Sequence, residues 1–200
     1  VAGGIPWIHN LQHIQRVDTI TDIQGIFNGT TNYILSGIFE NNCSFEDALH
    51  QAQQSGYAEQ DPTDDIDGYD VRYKIALSYL TAFSSVIDVH SIPVYGIRNL
   101  KESEIHYAKD NGYVIKLIGK AEKGRVIVLP VFTKNTTILS SVSSNYNYVQ
   151  CTSQYLGTSS YIGQGAGSLP TAHSVVQDLM DIETKAYPAI ENYSLQKLNT

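Results

Sequence analysis

The alternation of apolar and polar positions along the chain predicts helices and strands in mixed order. Apolar residues recur at helical spacing in some segments and alternate with polar residues in others, with Gly and Pro between them. The predicted helices are residues 5–14, 30–39, 45–55, 69–83, 102–109 and 170–182. The predicted strands are residues 19–27, 113–122, 125–133, 146–155 and 159–163. We expect an α+β fold, a mixed β-sheet with helices on one face.

One segment stands out from this pattern because it is acidic. Six carboxylates precede Lys74 within a short stretch: Glu59, Asp61, Asp64, Asp65, Asp67 and Asp70. Like charges at this density repel one another, so the cluster is a poor way merely to solubilise a surface. We expect Pro62 to hold the chain in an extended or turn conformation, and the acidic residues after it to form the N-cap and first turn of a helix that begins near Gly68.

Asp70 and Lys74 are four residues apart in the predicted long helix, so their side chains share a helix face. With the carboxylates of the preceding loop, this pair predicts a site for proton transfer and for binding an amine. An ordinary salt bridge at a helix start explains the pair equally well, but leaves Glu59 and Asp61 without a role. A calcium loop is excluded, because Gly68 at its sixth position would put Lys74 at the twelfth, where an acid is required.

Two further motifs lie where a strand meets a helix. Gly29-Thr30-Thr31 offers backbone N–H groups and hydroxyls at a helix N-terminus, which suits an amino-acid carboxylate, and a plain helix cap explains it as well. Gly163-Gln164-Gly165-Ala166-Gly167 is a weak signal without a βαβ unit and by itself indicates a flexible turn. The histidines show no metal-ligand spacing. They are His9, His13, His50, His90, His106 and His173.

Composition and charge narrow the class of partner. With 200 residues, 42% of them hydrophobic, the chain can bury a substantial core, and one domain is the default expectation. A net charge of -7 argues against nucleic acid and against an anionic membrane, and favours small metabolites. Cys43 and Cys151 are too few for a disulfide framework, and no apolar run approaches the length of a membrane span. These features predict a cytoplasmic location.

The acidic segment resembles a known family. Residues 52–74, A-Q-Q-S-G-Y-A-E-Q-D-P-T-D-D-I-D-G-Y-D-V-R-Y-K, are similar to the signature segment of homoserine dehydrogenases. Four more segments resemble that family in the same order: V-A-G-G-I-P at 1–6, G-I-F-N-G-T-T-N-Y-I at 25–34, G-Y-V-I-K-L at 112–117, and G-Q-G-A-G at 163–167 before P-T-A. The resemblance covers nearly the whole chain, and its central motif is highly specific.

The resemblance implies an activity and the residues that perform it. Enzymes of this family interconvert L-aspartate 4-semialdehyde and L-homoserine with NADPH or NADH, in the biosynthesis of threonine, methionine and isoleucine. In this sequence the implied catalytic residues are Lys74 and Asp70. The implied substrate-binding residues are Glu59, Asp65 and Thr30 together with Asp70.

The same resemblance implies two more sites. Gly163 and Gly165 would lie beside the nicotinamide of NADP or NAD. The backbone of Val1, Gly3 and Ile5 would bind a structural sodium ion, for which another ligand would come from upstream sequence.

The resemblance also implies how the chain is organised. Residues 1–200 would form one substrate-binding, catalytic and dimerisation domain, similar to the C-terminal domain of glyceraldehyde-3-phosphate-dehydrogenase-like enzymes. A homodimer would form through the sheet, and the last helix, about 169–185, would pack on a nucleotide-binding domain. Because the G-x-G-x-x-G turn of that domain is not in this sequence, we expect the chain alone to be inactive. The alternative is a non-catalytic amino-acid-binding or oligomerisation module on the same scaffold.

Overall fold

The computed structural model of the protein describes residues 1–186 and the short strand at 194–195. The helices in this part of the chain are α1 Trp7–Gln15, α2 Gly29–Glu40, α3 Phe45–Gln54, α4 Thr63–Ile66, α5 Tyr69–Phe83, α6 Glu102–Asp110, α7 Ile138–Ser141 and α8 Ser168–Glu183. The strands are β1 Ile20–Ile26, β2 Ser85–Val86, β3 Tyr113–Glu122, β4 Arg125–Lys134, β5 Tyr146–Ser153, β6 Gly157–Gln164 and β7 Ser194–Leu195. Each predicted element is present, with ends that differ by at most two residues from the prediction.

A five-stranded sheet organises the fold, with the strand order β4-β3-β1-β5-β6. The α+β prediction is confirmed. Every pairing in this sheet is antiparallel, so the mixture of strand directions that we expected is not found within it. Parallel pairing occurs instead between β2 and β7, and at an isolated bridge between Val94 and Val128.

The main core lies between one face of the sheet and helices α1, α2 and α5. Gly119 in β3 allows this close approach, because a Cβ there would lie 3.0 Å from Val71 and 3.2 Å from Ile75 of α5. The opposite face carries a smaller apolar cluster of Ile26, Ile118, Val142 and Tyr148, packed against Leu139 of α7. The helices are therefore not confined to one face, since the short α7 covers part of the other.

Helix α5 is fixed against α1 by a buried hydrogen bond. The indole Nε1 of Trp7, which is only 1% exposed, donates to the hydroxyl of Ser78 at 2.9 Å. That hydroxyl in turn donates to the backbone carbonyl of Lys74 at 2.8 Å. A bulky side chain in α1 thereby sets the position of the helix turn that carries Lys74.

The corner before α5 differs from the prediction. Asp64 and Asp65 lie in the separate short helix α4, whereas we expected them at the start of the long helix. Pro62 is the residue just before α4, where its missing N–H costs no hydrogen bond. Gly68, with φ +83°, then makes the left-handed turn into α5 at no steric cost. The two acidic residues and the long helix are thus separated by a corner rather than joined in one helix.

The last long helix, α8, contains no buried residue. Its exposed apolar side chains are Leu169, Val175, Val176, Leu179, Met180 and Ile182. A hydrogen bond of 2.9 Å from the Ser174 hydroxyl to the Gly3 carbonyl ties it to the start of the chain. Among the described residues, no helix combines the length and apolar character needed to cross a bilayer. The packing of this helix on a further domain stays a prediction.

Candidate active site

Two carboxylates that come from different helices meet at one amide. Asn28, the residue before α2, donates through Nδ2 to Asp65 Oδ1 at 2.6 Å and to Asp70 Oδ2 at 2.8 Å. The amide oxygen of Asn28 accepts a hydrogen bond from the backbone N–H of Thr31 at 2.8 Å and so caps α2. One buried side chain therefore joins the end of β1, helix α4 and helix α5.

Lys74 extends this network by one helical turn. Its ammonium donates to Asp70 Oδ2 at 2.6 Å and to the backbone carbonyl of Phe27 at 3.1 Å. The Lys74 and Asp70 side chains are 27% and 30% exposed, so the pair is partly shielded from water but open on one side. The i,i+4 contact expected from the sequence is present, and the ammonium also touches the strand end beside it.

Asp65 lies where its charged form is disfavoured. Burial raises the pKa of its carboxyl above the ordinary value, and the charge of Asp70 acts in the same direction. The neighbouring Asn28, Thr30 and Lys74 oppose that shift without reversing it. A site with two close carboxylates and one ammonium favours the arrival of a second cation.

Thr30 lies in the first turn of α2, near Asp65. Its hydroxyl donates to the backbone carbonyl of Tyr57 at 2.6 Å and thereby ties the loop after α3 to this end of the sheet. The N-cap of α2 is Asn28. The plain helix cap that we considered for Gly29-Thr30-Thr31 is therefore provided by the residue directly before that segment.

Glu59 is placed differently from the other predicted site residues. It lies exposed in the loop before α4, and its backbone carbonyl accepts from Gln53 Nε2 at 3.1 Å. Among the described residues, its carboxylate does not join the hydrogen-bonded network of Asn28, Asp65 and Asp70. Its role in binding substrate stays a prediction.

A salt bridge supports the α4–α5 corner from outside. The guanidinium of Arg98 donates to both carboxylate oxygens of Asp67, at 2.7 Å and 3.0 Å. Nearby, the N–H of Ile97 donates to the Ile66 carbonyl at 2.7 Å. These contacts fix the short segment between Asp65 and Asp70.

The glycines predicted to contact a cofactor have packing roles of their own. A Cβ on Gly165 would lie 2.1 Å from Oδ1 of the buried Asn147, and one on Gly163 would lie 2.8 Å from Ile5. Each must therefore lack a side chain whether or not a ligand is bound. Gln164, between these glycines, and Ala166, directly after them, are exposed.

Asn145 connects this glycine loop to the carboxylate site. Its backbone carbonyl accepts from Gly165 N at 3.1 Å, and a Cβ on Gly29 would lie 3.0 Å from the same oxygen. Gly29 directly follows Asn28. The two predicted sites thus share one end of the sheet, with a single residue between them.

The segment predicted to bind sodium is a compact turn. The Gly3 carbonyl accepts from Ser174, and the Ile5 carbonyl accepts from the N–H of Trp7 at 2.7 Å. Each carbonyl keeps a second lone pair, which is the kind of oxygen ligand that a hard cation takes. The residues are compatible with the ion, and the sodium site with Val1, Gly3 and Ile5 stays a prediction.

Asn28 was not singled out by the sequence analysis, although it lies within one of the matched segments. The available signal was local: an Asn between a strand and a helix is a strong candidate for an N-cap. That signal predicts the use of its oxygen but does not predict what its nitrogen contacts.

Comparison with known proteins gives one consistent result. The family model described as homoserine dehydrogenase matches residues 6–180. A homoserine dehydrogenase of Neisseria gonorrhoeae is 41% identical over 91% of this chain and 43% of its own length. A NAD(+)-dependent homoserine dehydrogenase of Pseudomonas canavaninivorans is 34% identical over 93% of this chain and 54% of its own length.

Solved structures agree. A homoserine dehydrogenase from Thiobacillus denitrificans superposes with a TM-score of 0.88 at 35% identity, over all of this chain and 49% of that one. A hyperthermophilic archaeal homoserine dehydrogenase in complex with NADPH gives a TM-score of 0.81 at 25% identity, over 96% of this chain and 56% of that one. This chain spans roughly half the length of the proteins it matches. On the family model, the sequence identity and the fold together, it belongs to the homoserine dehydrogenase family.

Proposed function

We propose that this chain supplies the substrate site and the proton donor of an enzyme that interconverts L-aspartate 4-semialdehyde and L-homoserine with NADP or NAD. The observation that carries the proposal is the Lys74 ammonium, 2.6 Å from Asp70, beside an amide that joins Asp70 to Asp65. A simple salt bridge on an exposed helix face would not include a buried amide such as that of Asn28.

The chemistry requires a positioned proton. A bound nicotinamide cofactor supplies the hydride that adds to the aldehyde carbon, and the carbonyl oxygen must gain a proton to become the alcohol. Lys74 has three N–H donors, of which two are engaged by Asp70 and the Phe27 carbonyl. The third is available to the substrate oxygen, and solvent returns the proton to the amine after the reaction.

The carboxylates hold the other end of the substrate. Aspartate 4-semialdehyde carries an ammonium group, and Asp65 and Asp70 present negative charge with one lysine to balance them. A second cation relieves the repulsion that raises the pKa of Asp65. We assign the ammonium to these two residues, with Glu59 and Thr30 as further proposed contacts of the substrate.

The nicotinamide would lie beside Gly163 and Gly165. Support comes from Asn145, which places that loop next to Asn28. One relative is named as NAD(+)-dependent and one structural neighbour contains NADPH, so both cofactors occur in the family. Most cofactor contacts would come from a nucleotide-binding domain, and we expect calorimetric titration of the 200-residue chain with NADPH to give no micromolar binding.

A second copy of the chain would cover the sheet face opposite α1, α2 and α5. That face carries Ile162, which is 51% exposed, and the partly buried Ile127 and Leu129 of β4. Apolar side chains without a covering helix favour a homodimer through the sheet. The two free cysteines are consistent with a reducing cytoplasm, where threonine, methionine and isoleucine synthesis would take place.

The test uses an enzyme that joins this chain to its nucleotide-binding domain. Lys74→Ala should lower the turnover number for aldehyde reduction by about 100- to 10,000-fold, the usual contribution of a general acid, and leave NADPH affinity unchanged. Lys123→Ala, at the exposed β3–β4 turn, is the matched control and should be fully active. Near-normal turnover in Lys74→Ala would end the catalytic assignment, and an inactive wild type would support a non-catalytic module.

A further inference from the structure

Three side chains of metal-binding type meet between α1 and α8. His9 comes from α1, and Asp178 and Asp181 come from α8, with one ligand atom of each within 4.8 Å of the others. None of them belongs to the network of Asn28, Asp65, Asp70 and Lys74 described above. The cluster joins the two ends of the described chain, so no local sequence pattern reveals it.

The two helices hold these residues in a defined arrangement. Asp178 and Asp181 are three residues apart and share one face of α8. The hydrogen bond from Ser174 to the Gly3 carbonyl keeps that face against the start of α1. His9 and Asp178 also line a cavity of about 280 Å³ between the helices. A ligand bound at the cluster would therefore have open volume beside it.

The spacing of one pair of ligand atoms suits a small cation. His9 Nε2 lies 3.3 Å from Asp181 Oδ2. Ligands about 2.0 to 2.1 Å from a tetrahedral ion are about 3.3 to 3.4 Å from one another. The other carboxylate oxygen, Asp181 Oδ1, accepts from Gln177 Nε2 at 2.8 Å. This second contact orients the carboxylate and directs Oδ2 towards the histidine, as the outer partners of metal ligands do.

We infer that His9, Asp178 and Asp181 bind one divalent transition-metal ion. One imidazole nitrogen with two carboxylates suits Zn²⁺ or Co²⁺, whereas Ca²⁺ and Mg²⁺ prefer oxygen ligands alone. A water molecule from the cavity completes the coordination. The bound ion would link α8, which buries no residue of its own, to α1.

A competing explanation is a simple ion pair. Protonated His9 beside Asp181 would give the same 3.3 Å distance without any metal. The two explanations differ in what the metal-free protein does when metal is added, because an ion pair alone gives no saturable binding.

Titration of the metal-free chain with Co²⁺ and then Zn²⁺ tests the inference. We expect visible absorption from one Co²⁺ per chain, its displacement by Zn²⁺, and a higher melting temperature with Zn²⁺. His9→Ala and Asp181→Asn should each weaken binding by at least about 10- to 100-fold, the loss seen when only the partners of ligands are removed. His13→Ala, an exposed histidine on the same helix, should bind like the wild type.

Two outcomes would overturn the inference. One is the absence of saturable binding in the wild type. The other is unchanged binding in both His9→Ala and Asp181→Asn, because the metal would then be held elsewhere. Far-ultraviolet circular dichroism of each variant shows whether it is folded, and the conservative Asp181→Asn change decides the question if His9→Ala does not fold.

Discussion

The amide of Asn28 donates a hydrogen bond of 2.6 Å to the carboxylate of Asp65, across 37 positions of the sequence. Because the amide oxygen is fixed by the cap of α2, the nitrogen has no freedom to turn away from the acidic residues. Helix capping and the geometry of the proposed active site therefore depend on the same side chain.

Substitution of Asn28 separates these two roles. Asn28→Ser keeps a capping oxygen and removes the bridging donor, so α2 should stay capped while the lost hydrogen bonds to Asp65 and Asp70 lower both the free energy of unfolding and kcat/KM. Asn28→Asp also keeps the cap but places a third negative charge against Asp65 and Asp70, and should be less active still. Chemical denaturation and steady-state kinetics on both variants check this; equal activity in Asn28→Asp and wild type would contradict it.

Asp70 and Lys74 should behave as one unit. Asp70→Ala leaves Lys74 without its 2.6 Å partner and removes charge from the ammonium site, so both turnover and substrate affinity should fall. The double variant should be little worse than Lys74→Ala alone. Additive losses in a double-mutant cycle would instead indicate two independent contributions. A surface salt bridge alone predicts about 0.3 to 0.5 kcal/mol of lost stability and normal turnover.

Asp65→Asn should stabilise the protein and lower its activity. Since burial raises the pKa of Asp65, the folded state binds this proton more tightly than the unfolded chain does. The ionised carboxylate thus lowers stability at neutral pH, and this penalty disappears as the pH falls below the ordinary carboxyl value of about 3.9. At neutral pH the melting temperature of Asp65→Asn should exceed that of wild type by about 2 to 4 °C for each kcal/mol of the electrostatic penalty that the substitution removes. This difference in melting temperature should disappear in acid. A pH-independent gap would show that charge is not the cause.

Lys116 should make the free energy of unfolding vary with pH in the alkaline range. Lys116 is 3% exposed, and its ammonium donates to Asn32 Oδ1 at 2.9 Å and to the Val142 carbonyl at 2.6 Å. Burial lowers its pKa from 10.5 to about 8, with the charge of Glu40 opposing the shift. Above that folded value the unfolded chain holds more protons, so stability should rise with pH until the unfolded lysine also titrates.

Lys116→Met is the variant that checks this dependence. The wild type should gain at most about 1.4 kcal/mol per pH unit above pH 8, and the variant should lose that gain. Lys120→Met, on the same strand and partly exposed, is the control and should keep the wild-type slope. Urea unfolding at several alkaline pH values measures all three proteins, and parallel slopes for wild type and Lys116→Met would refute the prediction.

The open sheet face should mediate dimerisation. Ile162→Glu places a charge on that face and should shift the protein towards monomer. Leu77→Glu changes a side chain with the same 51% exposure on α5 and should leave the dimer intact. Light scattering over a range of concentrations distinguishes the two, and a wild type that stays monomeric at high concentration would remove the basis of the proposal.

Local patterns predicted most of this fold because each strand and helix carries its own periodicity. The Asp70–Lys74 contact could be predicted in the same way, since its i,i+4 spacing lies within one helix. The bond from Asn28 to Asp65 could not, because it depends on how α4 packs against the end of β1. The sequence pattern does not predict helix α4, because Asp61-Pro62 favours an extended or turn conformation, whereas in the structure Pro62 stands at the start of a helix.

The metal-type cluster shows the same limit over a greater distance. No sequence pattern singles out His9, because the six histidines show no metal-ligand spacing. Its partners lie on the last long helix, and only the tertiary structure brings Asp178 and Asp181 to it. A spacing rule detects sites built within one element and overlooks sites built between two.

The hydrogen bond between Trp7 and Ser78 gives the chain a built-in optical reporter. Trp7 is the only tryptophan in the sequence, and its indole contacts the helix turn that follows Lys74. Fluorescence excited at the indole band therefore comes from one buried site, with no other tryptophan to dilute the signal. Movement of that helix when an amino acid binds nearby should change the emission, so occupancy of the site can be followed without a label.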